Sequence, residues 1–275
     1  MRLLDNKLSE YLNQYPQQTD DLLEAATYMV KLPGHRWRPI LLFTIYEALG
    51  GKNVADCLPI ACSIEYLHTA SIILDDLPAM DDGKLRRGRK PCHLEFSQAR
   101  AILTALWLCD VAQFLLHNFQ LQNTTNLSID LENYFRETKN EMMKGQVLDL
   151  EGKDLSYDEI VEKCRLKSGA LYGFTAAMPA YILGAVKIGK PLQNFGNYLG
   201  IAYQISDDIH DCTNTVEELG KDVSKDEDKN TIPRASGMRD AAELRDFYKK
   251  KAISEVKSIF DPIDDIGGLV ENICT

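Results

Sequence analysis

LPIACSIEYLHTASIILDD, residues 58–76, places Ile60, Ile64, Leu67 and Leu74 at i, i+4, i+7 and i+14 and then ends on two adjacent acids. That spacing keeps one side of a helix apolar. The same period recurs around residues 98–119, 130–150, 158–185, 192–212 and 240–260, whereas the sustained alternation of half-buried strands is scarce. The chain therefore reads as all-α. Breaks fall at Pro33-Gly34, Gly50-Gly51, Asp81–Pro91, Gly152-Lys153, Gly189–Pro191 and Gly220–Pro233. None is long enough to be an interdomain linker, and no internal repeat or low-complexity tract is present, so residues 1–275 are expected to form one large helical domain.

Apolar residues make up 45% of the 275 and charged residues 26%, as in ordinary globular proteins. The formal net charge of -10 argues against a general nucleic-acid partner. Such a chain can still bind anions where bound cations reverse the local sign. The seven cysteines are scattered, with no C-x-x-C pair and no zinc spacing, which points to reduced thiols in a cytoplasmic setting. The N-terminal stretch lacks the apolar core of a secretory signal, and no apolar run is expected to approach the roughly 18 residues of a membrane span. Cys274, next to last, does not make a prenylation box.

Two aspartate clusters carry the chemistry. The first is DDLPAMDD at 75–82, and the second is DDIHD at 207–211, after YQIS. On a helix Gln204, Asp207, Asp208 and Asp211 stand at i, i+3, i+4 and i+7 and share one face. Like charges so placed repel one another, and at the end of the 58–76 helix the macrodipole opposes them as well. A solvated acidic helix end would explain one such cluster. Two of them, the second on an otherwise apolar stretch, call for partners. Mg²⁺ is suited to the task because it bridges one or two carboxylates to substrate phosphates. Neither segment has the spaced ligands of an EF-hand.

Basic groups accompany the acids. Leu85-Arg86-Arg87-Gly88-Arg89 follows the first cluster, and Gly34-His35-Arg36-Trp37-Arg38-Pro39 precedes it. Lys167, Lys221, Lys225 and Lys229 are further candidates. Arg38, Arg86 and Arg87 suit phosphate because guanidinium forks match its oxygens in a bidentate way, whereas Arg36 and Arg89 could equally be structural. His68 lies seven residues before Asp75, on the same face and about 10 Å away. Acidic metal-holding walls beside basic patches suit one metal-bound diphosphate and a second held directly by cations.

These segments resemble the trans-isoprenyl diphosphate synthases, the farnesyl and geranylgeranyl diphosphate synthase group. The resemblance rests on EYLHTASIILDDLPAMDDGKLRRG at 65–88, GHRWRP at 34–39, GQVLDL at 145–150, LKSGALYGF at 166–174, YQISDDIHD at 203–211 and GKDVSKDEDKNTIP at 220–233, in order over residues 25–240. It implies an all-α bundle around a central active-site cavity, the isoprenoid synthase fold, usually a homodimer. It implies that Asp75, Asp76, Asp81, Asp207, Asp208 and Asp211 hold several Mg²⁺ ions, with Asp149 placed in the same metal set. Arg86, Lys167, Ser168, Gln204 and Lys221 would contact the allylic diphosphate, with Gln146 and Asp149 supporting that end. Arg38, His68, Arg87 and His35 would bind isopentenyl diphosphate. Asp75, Asp76, Lys167, Gln204 and Asp207 would be the catalytic set.

The chain departs from the family pattern at four places. His35 replaces a lysine, Pro91 is displaced by one position, Ser168 replaces a threonine, and the 221–233 loop is about two residues short. In the family that these segments resemble, an aromatic residue about one helical turn before Asp75 stops growth at fifteen carbons. By that resemblance the small Ala70 and Ser71 imply a twenty-carbon product. Trp107 and Phe114 are alternative floor residues that would give fifteen, although ordinary core packing is the simpler reading of both. A terpene cyclase would need only one diphosphate site, and a non-catalytic partner subunit would lack aspartates in one motif.

Overall fold

The computed structural model describes residues 2–16, 19–123, 129–151, 155–213, 230–260 and 264–274. In chain order α1 is Arg2–Gln14, α2 Asp20–Val30, α3 Trp37–Ala48, α4 Leu58–Asp75 and α5 Cys92–Glu95. Then come α6 Gln98–Gln122, α7 Leu131–Glu151, α8 Tyr157–Cys164, α9 Ala170–Ile182 and α10 Gly189–Thr213. The last are α11 Ile232–Ser236, α12 Met238–Val256 and α13 Asp264–Ile273. No strand forms among the described residues, only an isolated bridge between Arg86 and Arg89. The fold is all-α, as the periodicity predicts. Gly189 and Pro191, expected at a break, instead open α10.

The described residues divide into two compact units. The first comprises 1–39 and 55–122. Its centre is the pair α4 and α6, which bury small side chains against each other: Ala61 and Ser63 on α4, Ala101, Ala105 and Ala112 on α6. The Ser63 hydroxyl crosses this seam and donates to the Ala112 carbonyl at 3.0 Å. Leu4, Leu8 and Leu12, spaced four apart on α1, bury one stripe, and the enclosed Tyr66 of α4 donates to the Leu8 carbonyl. Val54–Asp75 and α6 each contain an 18-residue window with mean hydropathy of 1.4 and 1.5, contrary to the expectation that no apolar run approaches that length. The reason for the first is core packing, since 72% of its window is buried. On α6 the share is 44%, and Ile102, Leu103, Leu106 and Leu121 are exposed.

The second unit comprises 40–54, 123–213 and 224–275 where described. Residues 170–180 of α9 are all buried, with α10 packed along it. A second core joins Ile160 and Cys164 of α8, Ile201 and Ile205 of α10, Ile232 of α11 and Ala241 of α12. The start of α8 is fixed by a capping box: Ser156 Oγ accepts from the Glu159 amide, and the Glu159 carboxylate accepts from the Ser156 amide at 2.8 Å.

Between α8 and α9 the backbone widens into one π-helical turn, Arg165–Gly169. Two glycines let neighbouring helices touch it. A Cβ at Gly145 of α7 would stand 2.4 Å from the Lys167 nitrogen, and one at Gly200 of α10 would stand 2.5 Å from the Gly169 Cα. Such wide turns favour functional sites because they aim side chains that an α-helix would leave in register with their neighbours. None of the seven cysteines forms a disulfide.

Candidate active site

In the first unit the acidic segment follows the end of α4 as a tight loop. Asp81 N–H donates to the Asp75 carbonyl at 2.9 Å, and Gly83 N–H donates to the Asp76 carbonyl at 3.1 Å. Asp76 is buried, and both its oxygens accept from Arg86: Nε lies 3.1 Å from each, and Nη2 2.6 Å from Oδ1. Arg86 is aimed by a two-residue turn in which Arg87 (φ 52°) and Gly88 (φ 74°) both adopt left-handed backbone. Amide–carbonyl bonds of 2.8 and 3.0 Å between Arg86 and Arg89 close it. This is a type I′ turn, in which an arginine costs about 1–2 kcal/mol relative to its preferred conformation. It is the kind of strain that collects at functional sites.

The basic segment at 34–39 is anchored from beneath. Arg36, also left-handed (φ 55°), donates to Glu65 of α4 at 2.8 Å and to the Val30 carbonyl at 2.6 Å. It is therefore a structural arginine, and it sets Arg38 relative to α4, where His68 stands one turn beyond Glu65. A side chain at Gly34 would stand 2.7 Å from the Arg87 guanidinium, so this glycine gives Arg87 its place over the loop. Desolvation, followed by the charges of Arg38, Arg87, Arg36 and Arg86, holds His68 well below its usual pKa. A neutral imidazole among arginines can donate an N–H to an anion without adding to their mutual repulsion. His35 is exposed and stacks on Trp37, with ring centroids 5.4 Å apart. Arg89 is exposed.

In the second unit Gln204, Asp207, Asp208 and Asp211 do lie along α10, with Asp208 and Asp211 buried. Ser168 Oγ, on the π-helical turn, donates to Gln204 Oε1 at 2.6 Å, and Gln204 Nε2 donates to Asp208 Oδ1 at 2.9 Å. The neighbouring Lys167 donates to Asp149 Oδ2 at 2.6 Å. Asp149 Oδ1 accepts from Lys163 at 2.9 Å, so both oxygens of this expected metal ligand carry lysine ammonium groups. Two cations on one carboxylate oppose a third there by simple repulsion. Lys163 was not anticipated: it is buried, and it also donates to the Asn230 carbonyl at 2.7 Å. Its spacing of four from Lys167 reads in sequence as a solvated helix face, and only burial reveals it. Gln146 is half-buried on α7. Lys221, Lys225 and Lys229 lie outside the described residues.

The donor chemistry fits Mg²⁺ in kind, since the acids supply only hard oxygens. Among the described residues no three carboxylate, histidine or cysteine side chains converge as a closed metal cage. Mg²⁺ commonly keeps several waters and takes one or two carboxylates together with substrate phosphate oxygens. Asp75, Asp81, Asp207, Asp208 and Asp211 are the residues that would supply those carboxylates, with Asp76 joining them once Arg86 turns to an anion.

Residues 19–263 match the family model for polyprenyl synthetase. The chain is 34% identical over 258 residues to farnesyl diphosphate synthase of Geobacillus stearothermophilus, covering 90% of this chain and 86% of that protein. It is 31% identical over 258 residues to the chloroplastic geranylgeranyl pyrophosphate synthase 12 of Arabidopsis thaliana, covering 88% and 70%. Among solved structures it resembles a geranyltransferase of Helicobacter pylori complexed with magnesium and isoprenyl diphosphate. The TM-score there is 0.76 at 25% identity, over 99% of this chain and 93% of that one. With the family model covering most of its length and a relative 34% identical over 90% of it, the chain belongs to the trans-isoprenyl diphosphate synthase (polyprenyl synthetase) family.

Proposed function

We propose that this chain is a Mg²⁺-dependent short-chain prenyltransferase that condenses isopentenyl diphosphate with an allylic diphosphate to give geranylgeranyl diphosphate. The observation that carries the reading is the hydrogen-bonded line Ser168–Gln204–Asp208 beside Lys167. It holds a carboxylate fit for a hard cation and an ammonium fit for a phosphate on one rigid frame. Asp75, Asp76, Asp81, Asp207, Asp208 and Asp211 are assigned to the metal. Arg86, Lys167, Ser168 and Gln204 are assigned to the allylic diphosphate, with Lys221 as a further contact. Arg38, His68, Arg87 and His35 are assigned to isopentenyl diphosphate. Asp149 is assigned to orienting Lys167.

The allylic C–O bond breaks with its electron pair leaving on the diphosphate. Lys167, and Arg86 once it turns from Asp76, stabilise the charge that develops there. When bound, Mg²⁺ supplies further neutralisation of the same charge. Arg38, Arg87 and neutral His68 hold the second diphosphate so that its double bond is within reach of the cation, a gain in effective concentration. The π electrons form the new C–C bond, and a proton is then lost to the released diphosphate. Apolar helix faces exclude water, which would otherwise capture the cation.

The buried, small Ala70 supports the twenty-carbon product. Trp107 and Phe114 both pack edge-to-face on Tyr15, at 5.7 and 5.1 Å, which favours a packing role for them. Farnesyl diphosphate is the second reading, favoured by the farnesyl diphosphate synthases among the relatives. A homodimer is proposed as well, supported by exposed Ile102, Leu103 and Leu106 on α6. Thiols without disulfides suit a cytoplasmic setting.

The test is incubation with Mg²⁺, isopentenyl diphosphate and, separately, dimethylallyl, geranyl and farnesyl diphosphates, with products identified by mass spectrometry. A twenty-carbon diphosphate that disappears with EDTA or with Asp208→Ala is the expected result. A fifteen-carbon end product would overturn the chain-length assignment alone. No elongation by folded protein from any primer would overturn the prenyltransferase reading.

A further inference from the structure

We infer that His93 is a positioning residue for Asp76, its imidazole donating to that carboxylate when Arg86 leaves it for a diphosphate. The inference rests on the prenyltransferase reading above and deepens it. His93 is only 6% exposed, and neither of its ring nitrogens has a hydrogen-bond partner among the described residues. Leaving a buried donor and acceptor unmade is costly, so an imidazole kept in that state calls for a partner that arrives later. No hydrogen bond of its own holds the ring in place. Pro91, in extended backbone, opens α5, and its carbonyl accepts from the Leu94 and Glu95 amides at 3.0 and 3.1 Å. Cys92 beside it is fully buried, so the main chain and its packing carry the ring.

The electrostatics identify the partner. Burial lowers the pKa of His93, and of the charges that reach it the Asp76 carboxylate acts most strongly, against that shift, ahead of Lys84 and Asp82. Asp76 is itself buried, and the Arg86 fork covers both of its oxygens, with Nη2 2.6 Å from Oδ1. While that fork is in place the carboxylate is fixed toward Arg86. Once Arg86 turns to an anion, a carboxylate that gives one oxygen to Mg²⁺ needs a donor for the other. Gly83 leaves room beside it, since a Cβ there would stand 2.7 Å from Asp76 Oδ1. A neutral imidazole carries one N–H, and donating it aligns the carboxylate without adding a charge that would oppose the ion. Carboxylates that bind metal are commonly held by such a hydrogen bond from behind. His93 therefore waits unpaired in the ligand-free protein and gains its partner in the loaded site.

The test uses His93→Phe, which fills similar space without a polar atom, and His93→Asn and His93→Gln, which offer an N–H near Nδ1 and Nε2. Each full chain is measured by differential scanning calorimetry without ligand, and by titration calorimetry with inorganic diphosphate and Mg²⁺. His93→Phe is expected to keep its Tm within about 2 °C of wild type or to raise it, because the free protein loses no hydrogen bond. It is expected to weaken Mg²⁺-dependent diphosphate binding by roughly 10–100-fold, the usual loss when a group that holds a metal ligand is removed. Either Asn or Gln should restore the affinity to within about threefold, a rescue that a ring needed only for packing would not show. In protein carrying nitrogen-labelled histidine, the ring signal missing from His93→Phe should move when Mg²⁺ and diphosphate are added. Wild-type diphosphate affinity in His93→Phe, equal weakening in all three variants, or an unmoved ring signal overturns the inference and leaves the prenyltransferase reading standing. A folded wild type that neither elongates nor binds diphosphate overturns that reading instead. Should His93→Phe fail to fold, His93→Leu takes its place against the Asn and Gln variants, with the same affinities deciding.

Discussion

Gly200→Ala should damage both stability and turnover, although glycine to alanine within a helix ordinarily stabilises by about 0.5–1 kcal/mol. The added Cβ would stand 2.5 Å from the Gly169 Cα, 2.8 Å from its nitrogen and 3.1 Å from the Ser168 carbonyl carbon. All three are backbone atoms and none can rotate away. Ordinary contact begins near 3.4 Å, so α10 would have to retreat by about 0.9 Å from the π-helical turn. A retreat of that size carries the Ser168–Gln204 contact from 2.6 Å to about 3.5 Å, too long for a hydrogen bond. Overpacking of this kind costs about 1–3 kcal/mol, which for a chain this long corresponds to a Tm lower by about 2–10 °C. Misplacement by about 1 Å of the groups that hold a reacting diphosphate costs on the order of 100-fold in kcat. Differential scanning calorimetry and steady-state assays with geranyl diphosphate measure the two effects. Gly268→Ala on α13 is the control, since a Cβ there meets nothing within 4 Å, and it should raise the Tm. A Gly200→Ala protein as stable and active as the control would refute the close-contact reasoning.

Arg86→Met leaves the buried Asp76 carboxylate without its bidentate partner and should cost about 3–5 kcal/mol, whereas Arg86→Met with Asp76→Asn should cost much less; urea titrations of the three proteins show whether the effects are non-additive. His68 has a folded-state pKa held below the unfolded value, so the unfolded chain binds the extra proton first as the pH falls. Its contribution to stability is intact above about pH 6.5 and declines below it by up to about 1.4 kcal/mol per pH unit; His68→Asn should flatten that part of the denaturation profile. Leu103→Glu with Leu106→Glu should convert a dimer into a species of the one-chain mass, 31.0 kDa, by sedimentation, and a wild type already at that mass would remove the proposed interface.

The acidic half of the site was open to inspection in the sequence. Gln204, Asp207, Asp208 and Asp211 share a face because 3.6-residue periodicity is a local property, and α10 runs as the pattern requires. The 58–76 pattern likewise gave a helix ending at Asp75. What could not be read depends on contacts distant in the chain or on backbone detail. Arg36 bonds Glu65 twenty-nine residues on, and Lys163 bonds Asn230 sixty-seven residues on. The predicted helix at 158–185 is interrupted by the π-helical turn, which leaves the apolar rhythm nearly unchanged and so gave no warning. Asp149 has the residue type of a metal ligand. That residue type gives no sign of the two lysine ammonium groups on its oxygens.

That turn also sets how tolerant the region is of changes in length. In a helix each residue adds about 100° of rotation, so removing or adding one residue between Arg165 and Gly169 would swing the whole of α8 by that angle about the axis it shares with α9. Lys163 would leave Asp149, and Ile160 would leave its core, while Ser168 kept its place. Single-residue insertions and deletions here should therefore act as all-or-none lesions, unlike those in surface loops, and a scanning-deletion library would record residues 165–169 as a sharply bounded gap.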